Sequence, residues 1–455
     1  MNTFETINPA TEEQLNTYEF YDDSKISHTI DQAYQCWLKW KETTFAERSA
    51  LFIKLKQLLE KEKELLAKEI TAEMGKPLTQ SEAEIEKCAW VCEYYATNAE
   101  AFLQNEVIKS DATKSYVRYD PFGVVLAIMP WNFPYWQVFR FAAPALMAGN
   151  ACLLKHSPNT TACALSMQRI FEEAGFPKYL FNTVIADIPQ IEPIVANKKV
   201  AAVTLTGSTR AGKSLATLAG KYLKKAILEL GGSDPYLILA DADIDLAAQT
   251  CVTGRLINSG QSCIAAKRFI VLSSVKNIFV DKVKQLMEAK AVGDPTAEET
   301  DIGPMARKDL METLANQVDQ SVKKGAKIIL GGRIDQGQGF YYSPTILTDV
   351  KPGMPAYDEE LFGPVASIIE VNDEEEAIKV ANDTVYGLGS AVFTRDLAKA
   401  EIIASKLQSG STFVNAFVKS DPRLPFGGIK ESGYGRELSF IGIKEFVNVK
   451  TVYIK

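Results

Sequence analysis

Apolar positions in the first hundred residues recur at helical spacing. Leu51, Leu55, Leu58, Leu59, Leu65 and Leu66 share a recurring face and predict one long helix over about 46–73, closed by Gly75 and Pro77. A second helix is predicted over about 80–102. Its Cys88 and Cys92 stand four residues apart beside Trp90. No second cysteine pair completes a metal site there, so both are read as core.

From Gly123 the pattern changes to short apolar runs alternating with helices. Residues 123–129, 151–155, 183–186, 201–206 and 236–240 read as buried strands, with helices over about 139–148, 160–174 and 211–218. That alternation predicts a doubly wound parallel sheet. After Gly231 it starts afresh, with helices at 246–258, 275–290 and 374–382 and strands at 268–272, 327–330, 367–371 and 390–393, so a second α/β domain is expected. Residues 114–119 (KSYVRY) and 445–454 (EFVNVKTVYI) fit neither domain. Both are β-prone, and strands of this kind join another chain or an exposed sheet edge. They are expected to form a sheet that spans subunits of a homodimer or homotetramer.

Composition narrows the function. A chain of 455 residues suggests about three domains by length alone. With 57 acidic against 50 basic residues and a net charge of −7, no nucleic-acid or anionic-membrane surface is expected. No apolar run approaches a membrane span, and the polar first residues resemble no secretory signal. Seven scattered cysteines suit a reducing compartment, so a cytoplasmic protein is expected. Only two histidines occur, His28 and His156. A His-rich metal site is excluded, no metal is expected, and proton transfer falls to carboxylates, lysine or water.

Residues 207–214 (GSTRAGKS) satisfy the phosphate-loop pattern, and the apolar run 237–241 even ends in an aspartate. A P-loop nucleotide triphosphatase is therefore one alternative. A glycine-rich turn opening a helix offers backbone N–H groups to any phosphate, however, including a pyrophosphate.

Three residues carry a different chemistry. Cys263 lies in a small-residue turn, GQSC, after an apolar helix; a thiolate there is a nucleophile if backbone N–H groups lower its pKa. Glu229 sits in an apolar run before two glycines, where burial raises a carboxyl toward the range of a general base. Asn132 stands between aromatics in PWNFP and is a plausible oxyanion donor.

PWNFP, TGS, ELGG, GQxC and EELFGPV occur in the order and spacing of the NAD(P)-dependent aldehyde dehydrogenase superfamily, and nearly the whole chain resembles it. The resemblance implies a Rossmann-type cofactor domain over 1–107 and 122–230, a catalytic α/β domain over 231–430, and oligomerisation strands at 108–121 and 431–455. It implies that Cys263 attacks an aldehyde, that Asn132 and the Cys263 N–H hold the oxyanion, and that Glu229 activates water against a thioester. It also implies that Trp131, Gly207, Ser208 and the Leu230 backbone line the cofactor, with Glu360 on the nicotinamide ribose and Phe362 against the ring.

At the adenosine-ribose position stands Lys155-His-Ser-Pro158. Many NAD-preferring relatives carry a glutamate where this chain has Pro158, so repulsion of a 2′-phosphate is missing. Lys155 and the Ser157 hydroxyl can hold that phosphate, which favours NADP over NAD; His156 is read as a local cap. Within the superfamily the chain most resembles bacterial succinate-semialdehyde dehydrogenases. For the carboxylate of such a substrate, Arg140 is the expected clamp and Ser420 a hydroxyl contact. A general aliphatic aldehyde dehydrogenase is the alternative within the same chemistry.

Overall fold

The computed structural model describes residues 3–455. Its first sheet has six strands, in spatial order Gly433–Tyr434, Lys225–Glu229, Val200–Thr206, Val124–Met129, Ala151–His156 and Phe181–Thr183. Five are parallel, and Gly433–Tyr434 closes one edge antiparallel. Both faces carry helices, so the central strands are buried almost throughout, which explains their continuous apolar runs. Winding outward in both directions from Val124–Met129 leaves a switch point between that strand and Val200–Thr206. Ligands of open α/β sheets bind outside the carboxyl ends of the strands at such a point.

The second sheet has seven strands, Lys327–Leu330, Thr345–Thr348, Val365–Val371, Ala266–Leu272, Asp234–Ile238, Gly389–Phe393 and Ser411–Val414 in spatial order. Only the edge strand Lys327–Leu330 runs antiparallel. A third sheet pairs Val447–Ile454 with Lys114–Pro121, from Val447 opposite Pro121 to Ile454 opposite Lys114, and adds Glu106–Val107. The two β-prone segments thus pair with each other. Glu106–Val107 belongs with them, outside the first sheet, whereas Gly433–Tyr434 joins the first sheet.

The expected long helix is two, Phe45–Lys61 and Lys63–Met74. They break at Glu62, whose carboxylate ion-pairs with Arg169 at 2.7 Å. Gly75 then caps the second in the left-handed region, φ 76°. The strand expected at 183–186 is Phe181–Thr183 instead, because the apolar run outlasts the ladder and Ile185 O accepts from Tyr21 N. Cys88 and Cys92 are fully buried on helix Leu78–Phe102. Among the described residues no helix is long and apolar enough to cross a membrane.

Candidate active site

Cys263 follows an unusual turn. After helix Ile244–Leu256, Asn258, Ser259 and Gly260 take successive left-handed conformations, φ 55°, 53° and 76°. Such strain persists only where the surroundings over-determine it. Here Asn258 N donates to Gln80 Oε1 at 2.7 Å, Asn258 Nδ2 to Asn132 O at 2.7 Å, and Ser259 Oγ to Gly303 O at 3.0 Å. A Cβ on Gly260 would stand 2.3 Å from Gly363 O, so only glycine fits. Beyond the turn, Lys267 Nζ donates to Ser262 O at 2.9 Å and Cys263 O at 2.8 Å, and pairs with Glu360 at 3.2 Å.

The thiol is not lowered as expected. Burial pushes Cys263 up to about 12, against the pull of Arg140 and Lys267. It needs a base. Glu229 ends strand Lys225–Glu229, and neither of its buried carboxylate oxygens has a protein hydrogen-bond partner. Burial raises its pKa well above the ordinary range; the Arg140 charge opposes the rise and the Glu437 carboxyl adds to it. A Cβ on Gly427 would sit 2.6 Å from Glu229 Oε1, so that glycine makes room for the carboxyl. Asn132 is buried, and its Nδ2 donates one hydrogen to Gln261 O at 3.1 Å, leaving a second to donate.

Two cavities meet at this thiol. One, of about 240 Å³, lies at the switch point and is lined by Trp131, Asn132, Gly207, Ser208, Leu230 and Gly231, with Glu360 and Phe362 opposite. The other, of about 190 Å³, is lined by Lys87, Trp136, Arg140, Phe417, Ser420 and Phe426 among others. Cys263 belongs to both linings, and Glu229 to neither.

The cleft suits a nicotinamide dinucleotide. Glycines leave its walls open, and a Cβ on Gly231 would meet the Glu360 carboxylate at 2.5 Å. That carboxylate also accepts from Gly232 N at 3.1 Å and presents an acceptor for ribose hydroxyls. Trp131 and Phe362 meet edge to face, 5.8 Å between centroids, and offer aromatic surface to a ring. Lys155 and Ser157 stand outside this lining, at the carboxyl end of the neighbouring strand Ala151–His156. Burial lowers the Lys155 pKa, and Ser157 Oγ donates to Asn159 Oδ1 at 2.6 Å. His156 is a cap, as expected: Nδ1 accepts from Ser157 N at 2.8 Å, which leaves Nε2–H to donate to Pro134 O at 3.0 Å. Burial pushes it down to about 4, so it stays neutral.

The phosphate-loop alternative does not survive the geometry. Helix Thr209–Lys221 begins inside the pattern, so Gly212 and Lys213 lie in its second turn and no loop exists to cradle a triphosphate. Gly212 is needed for contact with Leu230, which its Cβ would approach to 2.4 Å. Lys213 points to Glu431 at 2.9 Å, and both oxygens of Asp241 accept from Thr394.

The expected carboxylate clamp has a competing partner. Arg140 lines the pocket from helix Trp136–Met147, but its charge is already balanced by an ion pair with buried Glu437. Its Nη2 donates to Thr206 Oγ1 at 3.2 Å, and the guanidinium lies over Phe426 at 4.5 Å. Ser420 is where it was expected, accepting from Trp136 Nε1 at 3.0 Å and from Lys87 Nζ at 2.8 Å. Lys87, Gln261, Lys267 and Glu437 went unread in the sequence. The signal for Lys87 was present: Gln80, Ala83, Glu84 and Lys87 share one face of helix Leu78–Phe102, and all four line the pocket.

A doubly wound sheet meets a second α/β domain at a cleft on the switch point, with a thiol where that cleft meets a second pocket. This defines a class of nicotinamide-dependent dehydrogenase that works through a covalent cysteine adduct. The family model described as the aldehyde dehydrogenase family matches residues 1–452, and the chain belongs to that family. It is 46% identical to a probable NADP(+) succinate-semialdehyde dehydrogenase of Synechocystis over 99% of each chain. It is also 46% identical to an NADP(+) succinate-semialdehyde dehydrogenase of Mycobacterium avium, over 99% of this chain and 96% of that one. The crystal structure of succinic semialdehyde dehydrogenase from Streptococcus pyogenes in complex with NADP+ superposes with a TM-score of 0.97, at 37% identity over 99% of both chains.

Proposed function

We propose that this protein oxidises succinate semialdehyde to succinate with NADP as the hydride acceptor. The observation that carries the reading is the position of Cys263 in the walls of both cavities, so that one sulfur can reach an aldehyde and a cofactor together. The relatives named above, at 46% identity, bear that activity in their names.

Cys263 gives its thiol proton to solvent, and the thiolate sulfur adds to the aldehyde carbon. The developing oxyanion receives hydrogen bonds from the free Asn132 Nδ2–H and the Cys263 backbone N–H. Trp131, Gly207, Ser208, Leu230, Glu360 and Phe362 would hold the nicotinamide, which would supply the hydride acceptor needed to take the adduct to the thioester level. Glu229 then takes a proton from the attacking water, and Cys263 leaves as the thiolate. Lys155 would hold the 2′-phosphate, with the Ser157 hydroxyl turned to it from Asn159, and Pro158 withholds the carboxylate that would repel it. The third sheet, whose outer strand Val447–Ile454 exposes Val449, Tyr453 and Ile454, joins subunits of a homo-oligomer. Truncation before Glu445 should dissociate that oligomer by light scattering.

An aldehyde panel run with NAD and NADP, followed by absorbance of the reduced cofactor, tests the reading. Succinate semialdehyde with NADP should give the highest kcat/KM. A higher value for a neutral aldehyde, or a clear preference for NAD, overturns it.

A further inference from the structure

The pocket beside Cys263 contains two cations that differ in one respect. Arg140 is neutralised by Glu437. Lys87 is not neutralised, although it lies on a desolvated wall. Its nearest acidic neighbour on the same helix face is Glu84, and that carboxylate is fully committed: Oε2 to buried Lys76, Oε1 to the backbone N–H groups of Tyr135 and Trp136 at 2.8 and 2.9 Å. Among the described residues, Lys87 forms no ion pair. Its Nζ donates to Ser420 Oγ at 2.8 Å and sits 4.3 Å from the centroid of the Trp136 ring. A half-buried ammonium that meets only a hydroxyl and an aromatic face lacks a counter-ion, and a charge in that position calls for one.

Ser420 points the same way. Its oxygen accepts from both Lys87 and Trp136, so its own O–H remains free to donate. An ammonium and a hydroxyl, 2.8 Å apart on one cavity wall, present two donors to the two oxygens of a carboxylate. Burial, with Arg140 nearby, pulls Lys87 down to about 8, which still leaves it charged at neutral pH.

We propose that Lys87, together with the Ser420 hydroxyl it holds, binds the distal carboxylate of the substrate and sets the preference for acidic over neutral aldehydes. This rests on the proposed function for the identity of the aldehyde, but not for the existence of an anion site. Arg140 then acts through the wall, steadying Glu437 and the floor behind Glu229.

The test uses the full-length enzyme with NADP. In K87M the ratio of kcat/KM for succinate semialdehyde to that for butanal should fall about 10- to 100-fold, as expected for a lost charged hydrogen bond. K87R should recover much of that ratio, which a packing defect alone would not allow. An unchanged ratio in K87M overturns the proposal. A second measurement does not depend on turnover of the acid aldehyde: inhibition of butanal oxidation by succinate. It should weaken about tenfold or more in K87M. Equal inhibition of both proteins, or none in the wild type, overturns the anion site. If the wild type fails to oxidise succinate semialdehyde while Lys87-dependent inhibition persists, the substrate assignment falls and the site at Lys87 stands.

Discussion

The two cavities that meet at Cys263 are walled by different materials. The cofactor cleft is bounded largely by main-chain turns at strand ends, 130–132, 206–208 and 230–231, with glycines where a side chain would intrude. The aldehyde pocket is bounded by side chains projecting from helices Leu78–Phe102 and Trp136–Met147 and from residues 417–420. A main-chain wall fixes shape and changes little when single side chains change. A side-chain wall is where specificity can be altered residue by residue. Substitutions at the junction should therefore abolish the reaction, those in the pocket should redirect it among aldehydes, and those at the end of strand Ala151–His156 should redirect it among cofactors.

The junction gives the largest effects. C263A should reduce turnover by at least about 10⁴-fold, because removing a covalent nucleophile removes the whole pathway. NADP binding, measured by calorimetry, should persist, since the cleft is made by other residues. Residual turnover near the wild-type level would dissolve the distinction between junction and walls. E229Q should reduce kcat by about 10²- to 10⁴-fold and still release a burst of reduced cofactor approaching one equivalent per site. Absence of the burst would place Glu229 in acylation as well. Both Cys263 and Glu229 are shifted upward, so each enters its reactive form as pH rises. The butanal rate should therefore climb well above the ordinary glutamate range near 4.3.

The contrast in materials also explains what the sequence disclosed. Main-chain turns need glycine, proline and small residues at fixed spacing, so PWNFP, TGS, ELGG and GQSC are visible as motifs. Strands buried on both faces are continuous apolar runs, and Val124–Met129, Ala151–His156 and Val200–Thr206 are recognisable for that reason. Lys87 is a lysine on a helix like many others until the fold turns its face to the pocket. Arg140 is the converse: the sequence marks it as a candidate and it lies buried in the pocket wall, but its partner Glu437 lies nearly 300 residues along the chain, a pairing no local pattern reveals. The break at Glu62 likewise coincides with an ion pair to a distant side chain, Arg169.

Behind both walls stands a support, one member of which, Glu84, also lines the aldehyde pocket. Lys76 and Glu84 form a buried pair, with Lys76 Nζ over the Phe133 ring at 3.9 Å and Glu84 capping helix Trp136–Met147. Removing one partner leaves an uncompensated buried charge. K76M should lose about 3–5 kcal/mol of stability by denaturant titration. K76M/E84Q should lose less than the sum of the two single variants. A loss below about 1 kcal/mol would mean that the loop bearing Asn132 is held by main-chain contacts alone.

On the cofactor side, P158E restores the missing repulsion at the strand end beside Lys155. The ratio of kcat/KM with NADP to that with NAD should fall about tenfold, equivalent to about 1.4 kcal/mol, while the preference among aldehydes holds. A simultaneous change in aldehyde preference would show that the two walls are coupled through the sheet.

The smallest effect separates the walls without any substitution. Lys87 faces Glu84 and Cys88 on its own helix, Arg140 on the next, and Asp421 beyond Ser420, and the balance of burial over these charges leaves it at about 8. A lysine shifted downward is charged below that value and neutral above it. An acidic aldehyde should therefore lose affinity as pH rises through 8, and a neutral one should not. Because kcat/KM reports groups of the free enzyme, and because Cys263 and Glu229 act on both substrates alike, the ratio for succinate semialdehyde over butanal cancels the chemistry and leaves Lys87. That ratio should fall roughly fourfold between pH 7 and pH 8.5 in the wild type and stay flat in K87M. A parallel fall in both proteins would assign the titration to another group and return the carboxylate to Arg140.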